Sequence, residues 1–130
     1  MKIKKLLRFY FFQQSLNDVL DGIILHIACA SGQDFYRGGL DFADKIISLI
    51  EVKGELADLW QRLNSVICKL SERDIETLKR YAALRVGPHG EDKREIHRAA
   101  VKFTRRAGGI ISDNSRVGKI LGAYSCMIRP

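Results

Sequence analysis

Apolar residues recur every third or fourth position along most of this chain, with polar residues between them. That period is helical, and no segment shows the strict alternation of a half-buried strand. The spacing predicts a first helix from Ile3 to Ala30, with Leu6, Leu7, Tyr10, Leu16, Leu20, Ile23, Ile24 and Ile27 on one face. Gln13, Gln14, Asn17, Asp18 and Asp21 occupy the other. The helix is expected to stop near Ser31-Gly32, because glycine favours helix C-termini, and residues 31–39 (SGQDFYRGG) to form a loop. A second helix is predicted from Asp41 to Leu70, striped by Phe42, Ile46, Leu49, Ile50, Leu56, Leu59, Trp60, Leu63, Ile67 and Leu70. Gly54 weakens it by about 1 kcal/mol relative to alanine and allows a close helix contact. Each helix would be about 45 Å long, so the pair is expected to fold as a long antiparallel hairpin.

Three shorter helices follow. Ser71 is a good N-cap for a helix carrying Ile75, Leu78 and Ala82, with Glu72 and Asp74 suited to the dipole of its first turn. Gly87-Pro88-His89-Gly90 breaks the pattern and marks the expected boundary between residues 1–86 and a unit spanning 91–130. A fourth helix runs from Glu91 to Ala107, with Ile96, Ala99, Ala100, Phe103 and Ala107 inward and Gly108-Gly109 as its stop. Ser112, Asp113 or Asn114 caps a fifth, which reaches Met127 with Val117, Ile120, Leu121, Tyr124 and Ile128 inward. The expected fold is therefore all-α, a long hairpin bearing a basic C-terminal helical unit. Within the first helix, Phe9, Phe11 and Phe12 crowd one turn and cannot all face one core; some are expected to meet another surface, such as a second subunit.

Charge is distributed unevenly over this frame. Residues 1–92 balance 13 Lys/Arg against 13 Asp/Glu, whereas residues 93–130 hold nine cations and two acids, so the whole +7 excess lies in the last 38 residues. Such asymmetry points to a polyanionic partner. Arg94, Arg98, Lys102, Arg105 and Arg106 form a stripe about 18 Å long on the fourth helix, opposite its apolar face. Like charges one turn apart repel by a few tenths of a kcal/mol each, and phosphates would relieve that cost. Glu95 and Glu91 can offset part of it. Asn114, Arg116 and Lys119 open the fifth helix, where Asn and Arg suit adenine and guanine edges. Helices four and five could thus form a helix-turn-helix-like pair, although the connection from Gly108 to Asp113 exceeds the usual 3–4 residues.

Other chemistry finds little support. Cys29, Cys68 and Cys126 lack metal spacing and read as reduced, mostly buried thiols of a cytoplasmic protein. His26 lies in an apolar run and is expected to be buried, and His89 has no metal-spaced partner. There is no Walker loop or GxGxxG, so neither a cofactor nor catalysis is expected. MKIKKLL imitates a secretory leader, but Arg8, Gln13, Gln14, Asn17, Asp18 and Asp21 interrupt the apolar run that translocation requires. No run reaches the ~18 apolar residues of a membrane span.

Residues 43–85, ADKIISLIEVKGELADLWQRLNSVICKLSERDIETLKRYAALR, carry Glu72-Arg73, Leu78 and Arg80-Tyr81 after a long helical segment. This third of the chain resembles the small helical regulators of phages and prophages, the RinA/ArpU-like group, in which a sigma-region-4-like DNA-binding element follows. The resemblance implies a DNA-binding transcription regulator. The group's next motif is replaced here by GPHGEDKREIHRAAVKFTRRAGG, so no DNA-reading residue is carried over from it. The leading expectation is nucleic-acid binding, DNA ahead of RNA, with the hairpin serving a homodimer or a protein partner. The alternative is a non-catalytic helical interaction protein whose basic face meets an acidic protein.

Overall fold

The computed structural model describes residues 3–33, 35–84, 92–112 and 115–128. Five helices run in the order α1 (Ile3–Gln33), α2 (Phe35–Ile67), α3 (Glu72–Ala83), α4 (Asp92–Ser112) and α5 (Ser115–Tyr124), followed by a 3-10 turn (Ser125–Met127). The fold is all-α, with no strand among the described residues. Among them, no helix is long and apolar enough to cross a membrane. Gly87-Pro88-His89-Gly90 and the capping candidates Asp113 and Asn114 lie outside the described residues.

α1 and α2 make the most extensive contact in the molecule. They run antiparallel: the Tyr10 hydroxyl donates to Asn64 Oδ1 at 2.7 Å, and farther along Lys53 bridges Asp21. α3 packs on α1 and α4, α4 also on α2, and α5 on α2 and α1. One core runs through all five helices, joining Leu16, Leu20, Leu63, Leu78, Phe103 and Leu121.

Two helices run further than glycine placement predicts. α1 continues through Gly32 to Gln33 and α2 begins at Phe35, so the backbone expected to loop over residues 31–39 is helical on both sides of residue 34. α4 passes Gly108-Gly109 and ends at Ser112. Its reason is visible: Ile110 is buried and extends the stripe of Phe103 and Ala107 by one more turn. A glycine costs a helix only about 1 kcal/mol, and burying an isoleucine side chain offsets that.

The aromatic crowding in α1 is resolved in part inside the chain. Phe12 has non-helical torsions (φ −123°, ψ 23°) that kink the helix. Trp60 Nε1 donates to the Tyr10 carbonyl at 3.0 Å, and Ser15 Oγ donates to the Phe12 carbonyl at 2.9 Å. Side-chain donors at the ladder are a recognised cause of kinks. The bend buries Phe9 fully and leaves Phe11 and Phe12 half-buried against the core. Tyr10 stacks on Trp60 with ring centroids 5.3 Å apart.

Three expectations of burial fail: Ile50, placed on the apolar stripe of α2, is exposed. His26 is exposed, and so are Cys29, Cys68 and Cys126. His26 and Cys29 lie beyond Leu20, the last residue of α1 in the core among the described residues, so a residue there can meet solvent whatever its apolar neighbours in sequence.

Candidate nucleic-acid interface

The orientation of α4 is set from beneath and from one side. Beneath, Ile96, Ala99, Phe103, Ala107 and Ile110 are buried. At the side lies α3, itself fixed at both ends. Its N-cap Ser71 accepts a hydrogen bond from the Asp74 backbone N–H at 3.3 Å, satisfying one of the free amides of a first turn. At its other end Arg8 of α1 donates from Nε to the Ala82 carbonyl at 2.8 Å and from Nη2 to the Leu84 carbonyl at 2.9 Å. A guanidinium there satisfies orphan carbonyls and complements the negative helix end. Lys4 adds a cation over the Tyr81 ring, 5.4 Å from its centroid.

From this fixed helix, three ion pairs reach α4. Lys102 Nζ lies 3.2 Å from Asp74 Oδ2. Glu95 accepts from Arg73 at 2.7 Å and lies 3.8 Å from Arg80. Burial by itself would push the Asp74 carboxyl up; hydrogen bonds from Lys102 and Ser71 and the charges of Lys102 and Arg73 hold it below its ordinary value. Glu95, expected to relieve its own helix, spends both oxygens on α3 instead.

The opposite face of α4 is open. An open groove of about 790 Å³ follows it, lined by Lys93, Arg94, His97, Arg98, Val101, Lys102 and Arg105. At about 100° per residue, Arg94, Arg98 and Arg105 fall within about 40° of one another, opposite Phe103. These three and Arg106 are exposed, and among the described residues none lies within 4.0 Å of a carboxylate. The five cations of the predicted stripe are thus not equivalent. Arg94, Arg98 and Arg105 share the groove; Lys102 sits on its rim, tied to Asp74; Arg106 is exposed on the flank toward α3, outside the groove. Lys93 joins them on the other flank with His97. Lys93 counts among the cations of residues 93–130 but lies off the register of the predicted stripe, which starts at Arg94.

The second set of predicted residues is only partly described. Lys119 is exposed on α5. Arg116 belongs to α5, but its side chain is outside the described ones, and Asn114 lies outside the described residues altogether. α4 packs chiefly on α3 and α2, and α5 on α2, α1 and the 3-10 turn. No family model, no curated protein and no solved structure matches this chain.

Proposed function

We propose that the protein binds nucleic acid without catalysis, with the outer face of α4 holding the phosphate backbone. The observation that carries this reading is the set of unpaired guanidiniums of Arg94, Arg98 and Arg105 on one solvent face of a helix anchored by Phe103. Arg106 and Lys102 extend the contact on one flank and Lys93 on the other. Arg116, Lys119 and Asn114 at the start of α5 would reach bases or a second run of phosphates. DNA is the favoured partner. A helix fits the major groove of B-DNA, about 12 Å wide, and cations on both flanks then meet both rims. The major groove of A-form RNA is too narrow to admit one. The resemblance of residues 43–85 to phage regulators supports transcriptional control in the cytoplasm as the setting.

Titration of a short duplex across salt concentration tests the reading. Five unpaired cations on α4 (Lys93, Arg94, Arg98, Arg105 and Arg106) releasing counterions predict a log K against log salt slope of about −4.5, reaching about −5.4 if Lys102 leaves Asp74 for a phosphate. Reversal of two contacts in Arg98→Glu/Arg105→Glu should make the slope shallower by about 1.8 with helical content unchanged. Absence of binding at low salt, or binding indifferent to the double reversal, sinks the proposal. Capture of an acidic protein through the same arginines, with no DNA binding, would select the alternative reading.

A further inference from the structure

The far end of the α1–α2 pair carries an apolar surface that the core does not use. On α2, Ile47 and Ile50 are 54% and 55% exposed, although the same turns also send Leu49 and Val52 toward α1. α2 therefore has two apolar faces at this end, one on the seam and one on solvent. The outer one reads Ala43, Ile47, Ile50, Gly54, Ala57, all exposed, at spacings of four, three, four and three. That is the heptad period of helices that pair along a seam.

Leu25 of α1, 65% exposed, belongs to the same patch. The Lys53–Asp21 bridge fixes both the height and the side on which α1 meets this face of α2. Leu25 lies one turn beyond Asp21, and Ile50 one turn before Lys53 in the antiparallel direction, so the two sit together beyond the bridge.

We propose that this surface is the interface of a homodimer, formed by parallel pairing of α2 with α2 of a second copy. Three observations choose that occupant. First, the heptad stripe is continuous over four turns of a single helix, as self-pairing requires. Second, Gly54 stands in its middle and, like the other described glycines, has open space where a side chain would be, so a second helix can approach closely there. Third, the chain exposes 8662 Å², whereas a compact monomer of its mass exposes about 6,900 Å². The difference, summed over the whole chain, is larger than the ~800 Å² that each partner contributes to a standard interface.

Charge selects the parallel direction. One flank of the stripe is acidic throughout, with Asp44, Glu51 and Asp58 exposed at heptad intervals. Antiparallel pairing would set this flank against itself. Parallel pairing instead sets Asp58 beside Lys53 of the second copy, a lysine that also bridges Asp21 of its own chain. It also places both α4 faces at one end of the dimer, although the dimer does not depend on what α4 binds.

Sedimentation equilibrium of the full chain from about 1 to about 100 µM tests the proposal. The expected result is concentration-dependent conversion to twice the 14.7 kDa chain mass. Ile47→Asp/Ile50→Asp should remain monomeric over this range with unchanged helical circular dichroism, because neither side chain belongs to the core. Gly54→Leu should weaken the dimer at least about tenfold while leaving the monomer folded. A wild-type chain that stays monomeric at the top of the range overturns the proposal, as does a dimer that survives the two aspartates. A Gly54→Leu dimer as tight as the wild type overturns the helix-pairing register.

Discussion

The two ends of the α1–α2 pair are written in one helical period and meet opposite fates. At the first end, Leu6, Leu7, Leu16 and Leu20 of α1 are fully buried, as is Leu63 of α2, with Leu56 and Leu59 at 2%. At the far end, Ile23, Ile24, Ile27, Ile46 and Leu49 are half-buried, and Leu25, Ile47 and Ile50 are exposed. Composition does not separate the two, since both are rich in Leu and Ile. What separates them is the number of layers. The first end is closed by Leu78 and Ala82 of α3, Phe103 of α4 and Leu121 of α5. Among the described residues the far end has the seam of two helices, which covers one stripe on each. Helical spacing tells which side of a helix is apolar; it does not tell what, if anything, covers that side.

This contrast predicts a steep gradient of mutational cost. Phe103→Ala should be the most damaging change, costing about 3–5 kcal/mol in chemical denaturation, because the ring is fully buried and seats α4 on the other helices. That is a large part of the ~5–15 kcal/mol stability of a domain. Leu63→Ala should follow at about 2–5 kcal/mol. Leu25→Ala, measured at concentrations where the chain is monomeric, should stay within about 0.5 kcal/mol. Equal costs for Leu63 and Leu25 would abolish the distinction between the two ends. Arg8→Ala should cost about 1.5–3 kcal/mol, since two carbonyls lose a charged donor. Hydrogen exchange should show the loss concentrated in the last turn of α3. Arg8→Lys should recover only part of it, because a lysine keeps the charge but lacks the two-pronged fork.

How much of this was legible in the sequence depends on the distance over which each feature is decided. Five helices and the buried face of α4 follow from local spacing, but of the nominated stripes of α1 and α2 the core takes only one end: Ile23, Ile24, Ile27 and Ile46 stay half-buried and Ile50 is exposed. The N-cap Ser71 is likewise local and is found where predicted. Helix ends are less local. Gly32 and Gly108-Gly109 looked like stops, yet the burial of Ile110 carried α4 onward, and burial is a tertiary fact. The kink at Phe12 needs Trp60, which binds the Tyr10 carbonyl 50 residues away in sequence, and the cap on α3 needs Arg8, 74 residues from Ala82. No pattern within a window of one helix contains either. On the candidate site, periodicity placed Arg94, Arg98 and Arg105 on one face but could not show that Lys102 has an acid beside it, because Asp74 is 28 residues upstream.

That pair gives the smallest and most pointed test, because it links the buried side of α4 to its open side. Asp74 is 14% exposed and Lys102 52%, so the carboxylate is the sheltered member and the ammonium faces the groove. A carboxyl held below its ordinary value stabilises the fold above the unfolded-state pKa of about 3.9 and loses that contribution as pH falls through the lower folded value. Asp74→Asn should therefore flatten the acid limb of the stability profile below about pH 4 while lowering stability near neutrality by no more than about 1 kcal/mol. On the open side the same substitution acts in the opposite sense. It releases Lys102 to the groove, and the salt slope of duplex binding should steepen by about 0.9. A steeper slope with an almost unchanged melting temperature would show that α3 restrains one cation of the stripe without being needed to shape it. An unchanged slope would mean that Lys102 serves only to tie α4 to α3, leaving binding to the arginines alone.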